Sequence, residues 1–234
     1  VDISKNNKTD FVEVCLAVPG SGVDWSIFLK LIKIDYFHCF GSVKKLLKVA
    51  EICDAWKTRK TLKKTEASEW QLPDYAAGRY VTDALKSGKT SDKQYSIVDR
   101  AGFIRSLADG VPNEEYGALQ LAKFQYDVLG YINYREPSLS WRYVIVTELN
   151  TDYSPKFKAY SIQSGKTVEM KVHKQRNPRN KEVTTSFADI PFTDGQALYI
   201  SKCKKEPKRQ KVGGDWEDVP GVFEWWIKDY MIVE

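Results

Sequence analysis

Arg142-Tyr143-Val144-Ile145-Val146-Thr147-Glu148-Leu149 marks the point at which the periodicity of this 234-residue chain changes. Branched and aromatic residues crowd together over these eight positions, as a largely buried strand requires. Two similar runs, 156–163 and 167–172, follow it. Asn150-Thr151-Asp152 and Gln163-Ser164-Gly165-Lys166 separate them, and these are residue types that favour turns. After a polar excursion over 173–194 come two more strands, 196–203 and 222–233, which a long basic-then-acidic loop containing Gly213-Gly214 is expected to join.

Five strands in about 95 residues, with the long break between the third and fourth, is the count and grouping of an OB barrel, assigned to 139–234. Working back from it, Tyr116, Leu121, Phe124, Val128 and Ile132 give an amphipathic helix within 113–138, with Pro137 beyond its end. Residues 57–112 are Lys-rich, contain the turn-like Lys86-Ser87-Gly88-Lys89-Thr90-Ser91-Asp92, and read as a connector with short helices, one of them around 97–108. In 1–56, Phe28, Leu29, Leu31 and Ile32, then Val43, Leu46, Leu47, Val49, Ala50 and Cys53, recur at helical spacing. Phe40-Gly41-Ser42 breaks this pattern, and Ser42 fits the N-cap of the second helix. The expected fold class is α+β: a helical N-terminal part followed by a five-stranded OB-fold barrel.

Four cysteines, at 15, 39, 53 and 203, form no CxxC pair, and the two histidines, His38 and His173, lie far apart. That spacing argues against a zinc site and a disulfide framework, and fits free thiols in a reducing cytoplasm. No apolar run approaches the roughly 18 residues of a membrane span. The polar opening at Val1, without Met, reads as a piece of a longer polypeptide and not as a secretory signal. Charge is unevenly placed. Residues 142–211 hold 15 Lys and Arg against 7 Asp and Glu, whereas 212–234 hold 1 against 6. A basic excess confined to one segment suits a polyanionic partner.

Two phosphate-loop lookalikes, Gly88-Lys89-Thr90 and Gly165-Lys166-Thr167, lack the earlier glycine, since Asp83 and Tyr160 stand at that position. Val18-Pro19-Gly20-Ser21-Gly22 reads as an interhelical turn, with a phosphate-binding helix-hairpin-helix turn as the alternative that Ser21 in place of an apolar residue disfavours, and Asp215, Glu217 and Asp218 read as acids of a solvated loop. Three segments resemble the C-terminal region of bacterial C-family replicative DNA polymerases, the DNA polymerase III alpha subunits. Residues 29–41, Leu-Lys-Leu-Ile-Lys-Ile-Asp-Tyr-Phe-His-Cys-Phe-Gly, followed by Lys44-Lys45-Leu46-Leu47, are similar to the family's LIKAGAFDxFG stretch after the fingers. Asp127-Val128-Leu129-Gly130-Tyr131-Ile132 with Pro137 is similar to its ExLGxYLxxHP helix end. The strand pattern over 143–233 fits its OB domain. Ile34-Asp35 stands where the family has Ala-Gly, and Arg135-Glu136 where it has the histidine before the proline.

The resemblance implies a DNA-binding accessory region of a replicative polymerase. It carries no catalytic residue, metal or cofactor, because the magnesium-binding carboxylates of the family lie in a palm upstream. It also implies replisome partners, including a sliding clamp, for which Gln71, Leu72 and Tyr75 are the nearest fit to a clamp-binding peptide, with Asp74 at a position meant for an apolar group. Single-stranded DNA needs cations along a groove and rings on which bases stack. For the cations the sequence offers Lys171, Lys174, Arg176, Arg179 and Lys181 in the excursion, and Lys202, Lys204, Lys205, Lys208, Arg209 and Lys211 in the last loop. For the rings it offers Tyr143, Phe157, Tyr160 and Tyr199. A self-standing nucleic-acid-binding OB module and a protein scaffold with an acidic partner are the alternative readings.

Overall fold

The structure, a computed structural model, describes residues 10–69, 79–151, 156–172 and 192–233. The chain divides into two units, Val1–Tyr116 and Gly117–Glu234. Among the described residues no helix is long and apolar enough to cross a membrane.

The first unit opens with α1 (Phe11–Ser21), α2 (Trp25–Lys33), a 3₁₀ turn (His38–Phe40) and α3 (Val43–Trp56). The predicted cap at Ser42 is present. Its hydroxyl accepts the Lys45 amide and donates to the Glu114 carbonyl, while the Glu115 carboxylate takes the Val43 amide at 3.1 Å. An acidic group is thereby held against the positive end of the helix. Phe11, Phe28 and Phe37 meet in the core, with ring centroids 5.4 to 5.8 Å apart.

Residues 57–112 are not a connector. They contain β1 (Thr61–Lys63), α4 (Lys64–Glu69), β2 (Val81–Lys86), β3 (Lys89–Ile97) and α5 (Arg100–Asp109), and the strands form an antiparallel sheet in the order β1-β3-β2. The turn-like stretch is a two-residue hairpin turn. Lys86 faces Lys89, with Ser87 and Gly88 at φ 53° and 77°, the positive φ pair that matches strand twist. The strands escaped notice because β3 is polar along most of its length and buries no side chain fully. The helix expected around 97–108 is α5.

The second unit contains α6 (Ala118–Leu129) and a closed five-stranded barrel. Its strands are β4 (Tyr143–Asn150), β5 (Lys156–Ser161), β6 (Lys166–Val172), β7 (Ala197–Val212) and β8 (Asp215–Val233), in the order β4-β5-β6-β8-β7, with β7 returning to β4. All pairings are antiparallel except β6 with β8. Alternate residues point inward, so Val144, Val146, Phe157, Ala159, Met170, Leu198, Ile200 and Ile227 fill the interior with Phe192. On the outer surface Ile145, Tyr160, Ile162 and Ala197 pack with Ala122 of α6. The Tyr126 hydroxyl of that helix donates to the Thr147 carbonyl at 2.6 Å, where β4 bulges.

The last two strands run well past the barrel. The expected loop is a β-ribbon, paired from Ala197 with Val233 to Val212 with Asp215, with register shifts along it, the largest between Pro207 and Arg209, where residues 219–222 of β8 have no partner on β7. Gly213 and Gly214, at φ 60° and 110°, make its two-residue turn. Asp215, Glu217 and Asp218 therefore lie on a strand and not in a loop.

Candidate nucleic-acid interface

β6 pairs with β8 only at residues 225–227, so the ribbon beyond has no other strand against it among the described residues. Cross-strand partners share a face and successive residues alternate between faces. Lys205 and Pro207 lie opposite Trp225 and Phe223, and Arg209 and Lys211 lie opposite Asp218 and Trp216. Lys205, Pro207, Trp225 and Phe223 share one face, continuous with the barrel's inner face at Cys203 and Ile227; beyond the register shift between Pro207 and Arg209, where β8 carries the extra residues 219–222, Arg209 and Lys211 share a face with Asp218 and Trp216. Lys204 and Glu206 take the other face before the shift, opposite Trp226 and Glu224, and Gln210 and Val212 the other face beyond it, opposite Glu217 and Asp215; Lys208 stands at the shift itself.

The faces that carry Lys205 and Arg209 are basic and aromatic. The Lys205 ammonium sits 4.7 Å from the Phe223 ring centroid. The Arg209 guanidinium donates to the Trp216 carbonyl at 2.8 Å and lies 3.3 Å from the Asp218 carboxylate. Phe223 is 51% exposed and Trp216 59%. Large rings left in water next to cations are the arrangement that sequence-tolerant single-strand binders use for stacking. Among the described residues no carboxylate lies within 4 Å of the ammonium groups of Lys202, Lys205, Lys208 or Lys211.

Elsewhere Lys156, Lys158, Lys171 and Lys204 are matched by acids. Lys171 donates to both oxygens of Glu224 at 2.8 Å and lies 5.4 Å from the Trp226 ring. Lys158 pairs with Glu148 at 2.8 Å, Lys156 with Glu169 at 4.0 Å, and Lys204 with Glu206 at 3.4 Å. A concave surface of about 510 Å³ over β5 is bordered by Glu148, Glu169 and Asp194, which a phosphate would meet at close range.

The expected residues thus separate into groups. Lys204, Lys205, Lys208, Arg209 and Lys211 come together on the ribbon, with Lys202 at its base opposite Asp229. Lys171 is already neutralised by Glu224. Tyr143 and Tyr199 are half-buried cross-strand partners with ring centroids 5.0 Å apart. Two platform assignments are corrected. Phe157 is 1% exposed inside the barrel, and Tyr160 is 5% exposed under α6, with its hydroxyl donating to the Tyr134 carbonyl at 2.9 Å. Neither ring offers a face to a base. Lys174, Arg176, Arg179 and Lys181, and the clamp residues Gln71, Leu72 and Tyr75, lie outside the described residues.

Burial raises the phenols of Tyr160 and Tyr230 and the thiol of Cys203, with Arg135 and Arg142 drawing Tyr160 and Cys203 partly back. Changing Tyr160 to Phe is expected to cost about 1 kcal/mol of stability through the lost hydrogen bond. Affinity for an oligonucleotide should be unchanged. Urea denaturation and anisotropy titration of the same variant check both.

Sequence reasoning passed over Trp216 and Phe223, although a readable signal was present. Gly213-Gly214 between two polar runs is a hairpin signature. Among the described residues no group of three or more Asp, Glu, His or Cys is placed to hold a metal ion. A scan of protein-family models found no family that matches this chain, and comparisons with curated proteins and with solved structures returned no match.

Proposed function

We propose that this chain binds single-stranded DNA through the basic and aromatic face of the β7–β8 ribbon, as the C-terminal accessory region of a replicative polymerase resembling the DNA polymerase III alpha subunits. The barrel is read as an OB fold. Numbered from β4, its strand order is 1-2-3-5-4 with the third and fifth parallel, which supports that reading. Barrels of that kind take oligonucleotides across the second and third strands and on the loops joining strands one to two and four to five. Here the four-to-five connection is the ribbon. Electrostatics favours it over the β5–β6 surface, where Lys156, Lys158 and Lys171 already face carboxylates.

The observation that carries this reading is a ribbon on which Lys205 lies 4.7 Å from the exposed ring of Phe223 and, beyond a register shift, Arg209 and Lys211 share a face with the exposed ring of Trp216. Cations on such a face release counterions from the phosphates, and rings accept any base. Titration of a labelled oligothymidylate against a duplex of equal length tests it. The single strand should bind more tightly, with log affinity falling linearly against log salt. Equal binding of both, or none, contradicts the reading.

The polymerase placement has its own support. Asp35 stands where the family pattern has glycine, and its φ is 64°, in the left-handed region where glycine is unstrained. Asp is among the few side chains that tolerate this conformation, at a cost. Replacing Asp35 with Gly is therefore expected to stabilise the first unit by about 1 kcal/mol, read as a higher urea midpoint. A lower midpoint would detach this position from the family's glycine. Clamp and replisome partners belong to the same proposal. The metal chemistry of the parent enzyme is assigned to its palm, outside these residues.

A further inference from the structure

We propose that Asp218 is a resident competitor for phosphate at Arg209, so that the ribbon binds single strands more weakly than its cations alone would allow. This rests on the nucleic-acid reading above and concerns the regulation of that same face. Arg209 is the middle cation, with Lys205 and Phe223 on one side and Lys211 and Trp216 on the other. It is also the one of the three with a carboxylate within 4 Å among the described residues.

The pair is built so that a phosphate can exchange for the carboxylate. Both side chains are about 60% exposed, and ion pairs in water are worth little to stability, so breaking this one costs little. The guanidinium does not depend on Asp218 for its position, because it also donates to the Trp216 carbonyl at 2.8 Å. Arg carries five N–H donors in a planar fork. With one donor on that carbonyl, enough remain for a two-point contact with a phosphate, provided the carboxylate moves aside. Asp218 and Trp216 are two residues apart on β8 and share the face, so a base stacked on Trp216 brings its phosphate towards the negative charge.

The ordinary explanation is that Arg209 and Asp218 staple the end of the hairpin as a cross-strand pair. A double-mutant cycle separates the two. Binding of a labelled ten-nucleotide oligothymidylate is measured between 50 and 300 mM salt for the parent chain, Asp218→Asn, Asp218→Glu, Arg209→Ala and the double Arg209→Ala/Asp218→Asn. Removing one charge a few ångströms from a phosphate in water should tighten binding roughly fourfold. The salt slope should steepen by about 0.7 as Arg209 gains a phosphate. Asp218→Glu should match the parent, and in the Arg209→Ala background the gain from Asp218→Asn should fall to less than half. Unchanged or weaker binding by Asp218→Asn, with the parent binding normally and the circular dichroism spectrum intact, overturns the proposal. So does an equal gain with and without Arg209. A parent chain that does not bind single strands overturns the functional reading itself.

Discussion

Changing Lys205 and Lys211 together to alanine is expected to lower single-strand affinity roughly tenfold at 0.15 M salt and to make the salt slope shallower by about 1.4, at ~0.7 per lost phosphate contact. The loss should be the same for every base composition, because phosphate contacts carry no sequence information. The register supplies the control. Lys204 lies on the opposite face from Lys205 and is 3.4 Å from Glu206, and Lys208 stands at the register shift, outside the faces of both Lys205 and Lys211. The double change of Lys204 and Lys208 removes the same formal charge but should alter the slope much less. Equal losses in the two variants would mean that the ribbon acts as a diffuse positive rod, and the assignment of Lys205 and Lys211 as phosphate contacts would be wrong.

A second large effect is expected at Phe157. Its ring lies inside the barrel opposite Met170 and packs edge-on against Phe192 at a centroid distance of 5.2 Å. Truncating a buried Phe to Ala costs about 3–5 kcal/mol, through lost transfer energy and the cavity left behind. That is a large share of the roughly 5–15 kcal/mol that keeps a domain folded. Phe157→Ala should therefore lower the unfolding midpoint of the second unit steeply, and DNA binding should disappear with the fold. Phe157→Leu, which fills most of the space, should retain both. Urea denaturation followed by near-ultraviolet circular dichroism reads the outcome. A Phe157→Ala chain of parental stability and reduced affinity would return this residue to a stacking role.

The barrel was legible because its strands are half or fully buried, and burial imposes a pattern. Val144, Val146, Phe157, Ala159 and Ile200 sit at alternate positions of short apolar runs, and each points inward. The same rule explains what could not be read. From Pro207 to Phe223 nearly every side chain of the ribbon is exposed, so no alternation of apolar and polar residues marks it, and a run of lysines reads as a loop. The sheet of the first unit was hidden for a related reason, since among β1, β2 and β3 only Leu62, Val81 and Ala84 are fully buried hydrophobics. Sequence alone groups Lys204, Lys205, Lys208, Arg209 and Lys211 in one segment. It could not pair Arg209 with Asp218 or Lys171 with Glu224, because those pairings depend on register and on a parallel contact between strands more than 50 residues apart. Tyr160 cannot be told from an exposed ring by sequence, because its burial comes from the cluster it forms with Ala122 of α6, a helix remote in sequence.

The most direct test of the central claim is a photochemical cross-link. A short single strand carrying 5-iodouracil at successive positions is bound to the chain and irradiated, and the adduct is located by mass spectrometry of the proteolysed complex. The ring on which the modified base stacks should capture it. Adducts are predicted at Trp216 and Phe223, lost individually on their replacement by leucine, with none on the buried Phe157 and Tyr160. Efficient cross-linking that leaves the ribbon unmodified and falls on the β5–β6 surface or in the first unit would contradict the account.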